Sequence, residues 1–502
     1  MEEITPSHQA YWKLAKALKS DGYLPTPALR KPDNTFAVDD REKAECLADS
    51  IEQQCSNNSI HGATHSHRIE EEVRTKISLE PQDDLAPVSE AVVIGLPKPG
   101  KPRDLPASYR PISLLSGLGK LFEKTIKTRL SEHLIGKGLI INEQFGFRPN
   151  HSCPQQVHRL VEHISEGFKK KRKTVAVFFD VAKAFDRVWH AGLIHKFYTL
   201  ELPDRLVLII HNYFNNRNFT FRHENTYSTK RTLKAGVPQG STLSPLLYSA
   251  YVNDIPRPSN GVQLALFADD TALYLRGSNY RDTTPRLQRA IDELTRWLRL
   301  WRIKLNPEKS AAIRFNYSKH KKKFSVPYNT PTLHIDNASI PWQHNYKYLG
   351  VTLDKHLHFR DHVARVSKLT KFYQSRLYGM IGRKSKMSRR NKRTLYLMCI
   401  RPKIQNKFCR QATDAHWCVK NSVLHGDLEL PTINKFMKDA SKRFFDMAQN
   451  HPNPLIVSAA TFDGPPPAHH FLRRPRNVLL DPPDALTSEV EKLAEAKSMQ
   501  ID

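Results

Sequence analysis

Two apolar runs in this chain end in carboxylates, and that pattern restricts the fold more than any other. Thr174-Val175-Ala176-Val177-Phe178-Phe179 is closed by Asp180, and Leu264–Phe267 and Thr271–Tyr274 flank Asp269-Asp270. Short runs rich in β-branched and aromatic residues read as buried strands. A carboxylate fixed at the end of such a strand is costly unless something pairs with it. No Lys or Arg stands beside these three in sequence, so a hard divalent cation is the expected partner. If the strands are neighbours, Asp180, Asp269 and Asp270 would share one or two Mg²⁺ ions, with Mn²⁺ as the substitute. Two metals about 3.5–4 Å apart activate an attacking oxygen and stabilise a leaving one, the logic of nucleotidyl transfer. Read alone, Asp269-Asp270 fits an ordinary hairpin turn at least as well, since Asp is common there.

The surrounding pattern predicts an α+β fold. Ala91–Ile94 reads as a strand running into the basic turn Pro97–Pro102. Helices are expected over Leu114–Leu134, Gln155–Phe168, Leu202–Phe214, Ser241–Val252 and Pro285–Trp301, with a hairpin over 218–234 and a strand at Ala311–Asn316. Strands mix with helices without strict βαβ alternation, which predicts a core sheet covered by helices. Four regions are expected. Residues 1–90 form an acidic linker with short helical patterns (Tyr11–Leu18, Val38–Gln54), and 91–355 carry the chemistry. Residues 356–462 are helical and basic, and 463–502 are a Pro-rich tail with a short helical end. His61, His65 and His67 follow Cys46 and Cys55, but their spacing fits no familiar zinc site and a solvated linker is expected.

Charge narrows the partner. The chain has 78 Lys+Arg against 50 Asp+Glu, net +28; residues 1–90 hold 10 and 17 of these, leaving 68 against 33 beyond. A balance this basic after residue 90 predicts a nucleic-acid partner. Six cysteines without a C-x-x-C indicate a reducing compartment. Met1-Glu2-Glu3 does not begin a signal peptide, and no apolar run approaches the ~20 residues of a membrane span. A soluble protein of nucleus and cytoplasm, with no membrane partner, is expected.

An ordered series of motifs then resembles the reverse transcriptases of non-LTR (LINE-type, Jockey-like) retrotransposons. It runs Tyr109-Arg110-Pro111-Ile112-Ser113-Leu114-Leu115, Gln144-Phe145-Gly146-Phe147-Arg148, Phe179-Asp180-Val181-Ala182-Lys183-Ala184-Phe185-Asp186, Gly236-Val237-Pro238-Gln239-Gly240-Ser241, Phe267-Ala268-Asp269-Asp270, Leu305-Asn306-Pro307-Glu308-Lys309-Ser310 and Tyr348-Leu349-Gly350-Val351. The resemblance implies a right-hand polymerase, with fingers and an antiparallel palm sheet before a helical thumb-like region. It would add deoxynucleoside triphosphates to a DNA primer on an RNA template. Asp180, Asp269 and Asp270 would be metal ligands, and Lys309 would donate a proton to pyrophosphate. Lys98, Lys101, Arg110 and the main chain at Val181 would hold the triphosphate. Phe185 would exclude a 2′-hydroxyl, and Gln239 would face the nascent base pair. Arg148, Gly240, Tyr348, Leu349 and Gly350 would contact template or primer.

Simpler readings stand beside several of these. Phe185 and the tyrosines at 346 and 348 are also core aromatics by pattern, Lys98 and Lys101 a solvated turn, Lys309 a surface lysine, and Ser241 a helix cap. The basic runs Lys169–Lys173 and Lys319–Lys323 are phosphate contacts or solvated loops.

The chain departs from the family pattern in two places. Glu90 runs straight into Ala91 without the family's Lys-Ala-Pro-Gly-x-Asp-Gly segment, and a second join falls near Arg401-Pro402-Lys403. These losses predict incomplete fingers and thumb, and set a remnant that only binds nucleic acid beside the polymerase as the alternative. No H-E-x-x-H, Walker loop or Ser/His/Asp signature offers other chemistry, so any endonuclease activity would come from elsewhere.

Overall fold

A computed structural model describes residues 25–78, 90–215, 217–259, 261–316, 331–381, 432–460 and 484–498, with a few positions between 385 and 392. The described residues fall into two compact units, Pro25–Gly350 and the described residues from Val351 onward.

In the first unit, elements follow the order β1 (Leu29–Arg30), β2 (Phe36–Ala37), α1 (Asp40–Gln54), α2 (Ala63–Ser78), β3 (Glu90–Pro97), β4 (Tyr109–Leu114), α3 (Gly117–Leu134), α4 (Cys153–Lys169), β5 (Lys173–Phe179), α5 (His190–Thr199), α6 (Asp204–Phe214), β6 (Asn218–His223), β7 (Thr226–Tyr227), β8 (Arg231–Thr232), α7 (Ser244–Tyr251), β9 (Gln263–Phe267), β10 (Asp270–Gly277), α8 (Tyr280–Leu300), β11 (Ala311–Phe315), β12 (Leu333–Ile335), β13 (Ala338–Ile340) and β14 (Asn345–Tyr348). The fold is α+β, as expected.

The central sheet is antiparallel in the order β11-β5-β10-β9. Its middle strand β5 is buried at every position after Lys173, which is why its sequence is continuously apolar rather than alternating. Helices α4 and α8 pack on this sheet. The large core combines Val175, Val177 and Phe179 with Leu273 and Leu275 and the apolar stripe of α8.

A second sheet, β4-β3-β6-β7 with β8 on β6, pairs β3 with β6 in parallel. Its core joins Val93, Tyr109, Phe219 and Phe221 to Ala44, Leu47, Ala48 and Ile51 of α1. This corrects the linker reading of the N-terminal region over its described part. The Ala44, Leu47, Ala48, Ile51 spacing is one face of a helix, and it covers sheet residues far along the chain. Asp39 accepts from Glu42 N (2.7 Å) while Glu42 Oε2 accepts from Val38 N (3.2 Å), a reciprocal box that starts α1. Cys46 and Cys55 lie in the same apolar layer, where burial raises both thiols. His65, on α2, meets Trp301 edge-on at 5.4 Å. Of the three histidines, His65 is therefore packed, while His67 on the same helix and His61 before it are exposed.

In the second unit, β15 (Val351–Asp354) packs against α9 (Arg360–Ile381). The Asp354 carboxylate accepts from the main chain of His356, His358 and Phe359. Helices α10 (Ile433–Gln449) and α11 (Pro454–Ala460) pack together, and α12 (Ala485–Ser498) joins α10 through Lys435–Glu491 at 2.5 Å and a Thr432–Thr487 hydroxyl pair. The Tyr11–Leu18 pattern, the Lys319–Lys323 run, the join at Arg401–Lys403 and the Pro-rich stretch 463–483 lie outside the described residues. No described helix is long and apolar enough to cross a membrane.

Candidate active site

The register of the central sheet gathers the acids. Thr271 is opposite Phe179, so Asp270 and Asp180 are each the next residue at the same end of the sheet. Asp180 and Asp269 line one cavity of about 1130 Å³ with Lys98, Lys101, Arg110, Val181, Phe185, Gln239, Gly240 and Lys309. The electrostatics agree with this proximity. Burial raises the Asp269 carboxyl, and the Asp180 charge adds to it. Asp270 is exposed and does not line the cavity, but loss of water, then Asp269 and Asp180, push it up to about 6.

Two loops fix this end of the sheet. Asp180 N–H donates to Ser310 Oγ (3.2 Å) and its carbonyl accepts from Asn306 N–H (2.9 Å). That places Lys309 Nζ at 3.7 Å from Asp180 Oδ2, a cationic neighbour that residue order alone concealed. The turn at Ala268 has φ +57. It is held by Gln144, whose Oε1 accepts from Ala268 N–H (3.0 Å) and Gly146 N–H (2.8 Å). A Cβ on Gly146 would stand 2.1 Å from Ala268 N, so only glycine fits this approach. Gln144 and Gly146 were missed as site residues; their place in the Gln144–Arg148 motif was the signal.

The cavity walls carry the remaining candidates. Lys98 donates to Ala107 O at 2.8 Å, and burial lowers its pKa, against the pull of Asp186. Phe185 is stacked on Tyr248 (5.0 Å, 20°) and meets Phe147 edge-on at 6.2 Å. Core packing and cavity lining therefore both hold for it. Gln239 donates from Nε2 to Asp186 Oδ1 (2.7 Å), and its main-chain carbonyl accepts from Ser113 N–H (2.8 Å). Gly240, at φ +99, passes so close to Ile112 and Ser113 that a Cβ would crowd both. Ser241 does cap the following turn, accepting from Leu243 and Ser244.

Three expectations need amendment. Tyr348 is a core residue, 2 % exposed, its ring 5.0 Å from Phe178 beside the Tyr346–Phe178 stack at 4.7 Å. Strand alternation turned it inward, so it offers no ring to a nucleotide. Leu349 and Gly350 do form a tight turn, both left-handed (φ 45 and 84). Of the main chain after Asp180, Ala182 N–H is committed to Lys304 O (2.8 Å); this bond and Asn306 N–H to Asp180 O (2.9 Å) make the bridge between Val181 and Leu305 and do not use the Val181 N–H. Arg148 donates to Ile141 O (3.1 Å) and does not line this cavity.

Among the described residues no three His, Cys, Asp or Glu close into a ready cation site. The donor set still suits one. It is all carboxylate oxygen; burial first, and then mutual repulsion, raises Asp269 and Asp270, and a divalent ion relieves the repulsion.

Residues 96–353 match the family described as reverse transcriptase (RNA-dependent DNA polymerase). The chain is also 35% identical to a probable RNA-directed DNA polymerase from transposon BS of Drosophila melanogaster, across 72% of this chain and 42% of that one. This chain belongs to the reverse transcriptase family. A second relative, the RNA-directed DNA polymerase from mobile element jockey of the same species, is 30% identical over 74% of this chain and 43% of its own. The chain thus spans less than half the length of these curated relatives. Membership places it with non-LTR retrotransposon reverse transcriptases and implies dependence on a divalent metal. Among solved structures, telomerase from Candida albicans in complex with a telomeric RNA fragment is similar at 10% identity and TM-score 0.40, covering 84% of this chain and 69% of that one.

Proposed function

We propose that the chain is an RNA-directed DNA polymerase, adding deoxynucleotides to a primer 3′-end on an RNA template. The observation that carries this reading is the single cavity shared by Asp180, Asp269, Lys98, Lys101, Arg110, Phe185, Gln239 and Lys309. Asp180 and Asp269 would hold Mg²⁺, or Mn²⁺ in its place, with Asp270 supporting. Bound there, the ions supply charge neutralisation for attacking and leaving oxygens. The protein's own part is to place charge. Lys98, Lys101 and Arg110 grip the triphosphate, and Lys309, beside Asp180, stabilises or protonates departing pyrophosphate. Phe185, backed by Tyr248, cannot retreat, so it disfavours a 2′-hydroxyl. Leu349 and Gly350 are assigned to the primer end, and Gly240 and Arg148 to the template side. The RNA–DNA hybrid is gripped by shape and backbone charge, and target cleavage is left to another activity.

Primer extension on poly(rA)·oligo(dT) with Mg²⁺ tests this. Extension that Asp269→Ala abolishes supports it; salt-sensitive RNA binding without extension supports the binding remnant. Ribonucleotides in parallel should be refused by the parent. Phe185→Val should accept them about tenfold or more better, the scale of one relieved steric clash in a pocket.

A further inference from the structure

Asp186 and Arg187 are the turn residues just after Phe185, and they take no part in the chemistry proposed for the cavity. Asp186 is 5 % exposed, and its carboxylate accepts the Gln239 amide at 2.7 Å. The Gln239 amide thus presents Nε2 to Asp186. Its carbonyl end is left for whatever fills the cavity. The loop is strapped to the same turn by its main chain, Gly236 N–H to Val188 O and Val237 N–H to Phe185 O, both 2.8 Å.

Arg187 faces the other way. Its guanidinium donates to Gln53 O (3.1 Å), Ser56 O (2.7 Å), Ser56 Oγ (3.0 Å) and Asn57 O (3.3 Å). Gln53 O is one of the orphan acceptors at the negative end of α1, and Ser56 and Asn57 form the turn just beyond its cap Cys55. From the same helix end, Cys55 O accepts from Lys234 (3.3 Å) and Ala235 (3.0 Å), immediately before Gly236. The end of α1 therefore holds both the turn after Asp180 and the loop that carries Gln239.

We propose that Asp186 and Arg187 are positioning residues for Gln239, and that through Arg187 helix α1 is a working part of the nucleotide cavity. That the occupant is a nucleotide rests on the polymerase reading; the clamp itself does not.

The test uses the full chain and two readouts. By primer extension, Asp186→Ala should raise the dNTP KM about tenfold, the worth of one charge-assisted hydrogen bond, with a smaller change in kcat. Asp186→Asn, which still accepts the amide, should stay within about threefold. Gln239→Ala should match Asp186→Ala, and the double variant should be no worse than either. Independently of activity, hydrogen exchange in peptides covering 234–241 should accelerate in Arg187→Ala and in Asp186→Ala. Unchanged exchange there overturns the clamp, whether or not the parent extends primers. A parent that extends, with KM unmoved in Asp186→Ala or with additive effects in the double variant, overturns the positioning role. A parent that extends nothing, while exchange accelerates as expected, removes the polymerase reading and leaves the clamp standing.

Discussion

The two ends of strand β5 have the same apolar interior between them and opposite chemistry. At one end stand Asp180 and, across the register, Asp270, like charges held near one another by outside loops. At the other stand Lys169, Lys170, Lys171, Arg172 and Lys173, all exposed. There Arg172 N–H reaches Gly167 O (2.7 Å) and Lys171 N–H reaches Phe168 O (3.1 Å), closing α4 with a Schellman-type cap. Lys171 occupies the left-handed position (φ 53) that glycine usually takes. Glu166 serves this end alone, pairing with Lys170 (2.6 Å) and Arg276 (3.0 Å). The acidic end keeps its like charges together with Lys309 beside Asp180; the basic end is resolved in part by its own glutamate. The comparison teaches that a buried strand makes its ends rigid, and that partners decide what each rigid end does.

The largest test of this contrast is catalytic. Asp180→Asn should lower primer extension by about 10²–10³-fold or more, the scale of losing a preorganised electrostatic group. The melting temperature should not fall, since repulsion with Asp269 and Asp270 is relieved. Neutralising Lys171 and Arg172 together should leave single-nucleotide extension intact. It should flatten the salt dependence of RNA binding by at most about 0.7 for each phosphate no longer neutralised.

The pH response should differ in sign between the ends. With metal chelated, Asp270 binds its proton more tightly folded (about 6) than unfolded (3.8), so stability falls as pH rises from 4 through 6. Asp270→Asn should remove that fall. Divalent affinity should rise over the same window, because the ion displaces the proton. Glu166 behaves oppositely. Burial works to raise it, but Lys170 and Arg276 prevail and hold it at about 2, below its ordinary 4.5. Its contribution is full above 4.5 and lost as pH falls toward 2, so Glu166→Gln should weaken the fold at neutral pH and flatten the acid limb. Melts from about pH 2 to 8 would show both. The smallest effect is Lys171→Gly, expected to stabilise by roughly 1 kcal/mol through relief of the left-handed conformation, read by urea midpoint.

Much of the site was legible from residue order. Asp180 and Asp269-Asp270 announced themselves by ending apolar runs, and the sheet register brings those ends together. What stayed hidden depended on partners far along the chain. The packing of α1 on Phe219 and Phe221, the grip of Gln144 on Ala268, and the Arg187 cap on Ser56 all join segments distant in sequence. Tyr348 was ambiguous for a different reason: alternation says that one face is buried but not which, and the Phe178 ring decided it.

The lid that α1 forms over the second sheet has a practical corollary for dissecting this protein. A fragment started at Ala91, where the region expected to carry the chemistry begins, would present Val93, Tyr109, Phe219 and Phe221 to water as a bare greasy plate. Such a fragment should precipitate or self-associate however intact its carboxylates are, whereas one started at or before Pro25 carries its own cover.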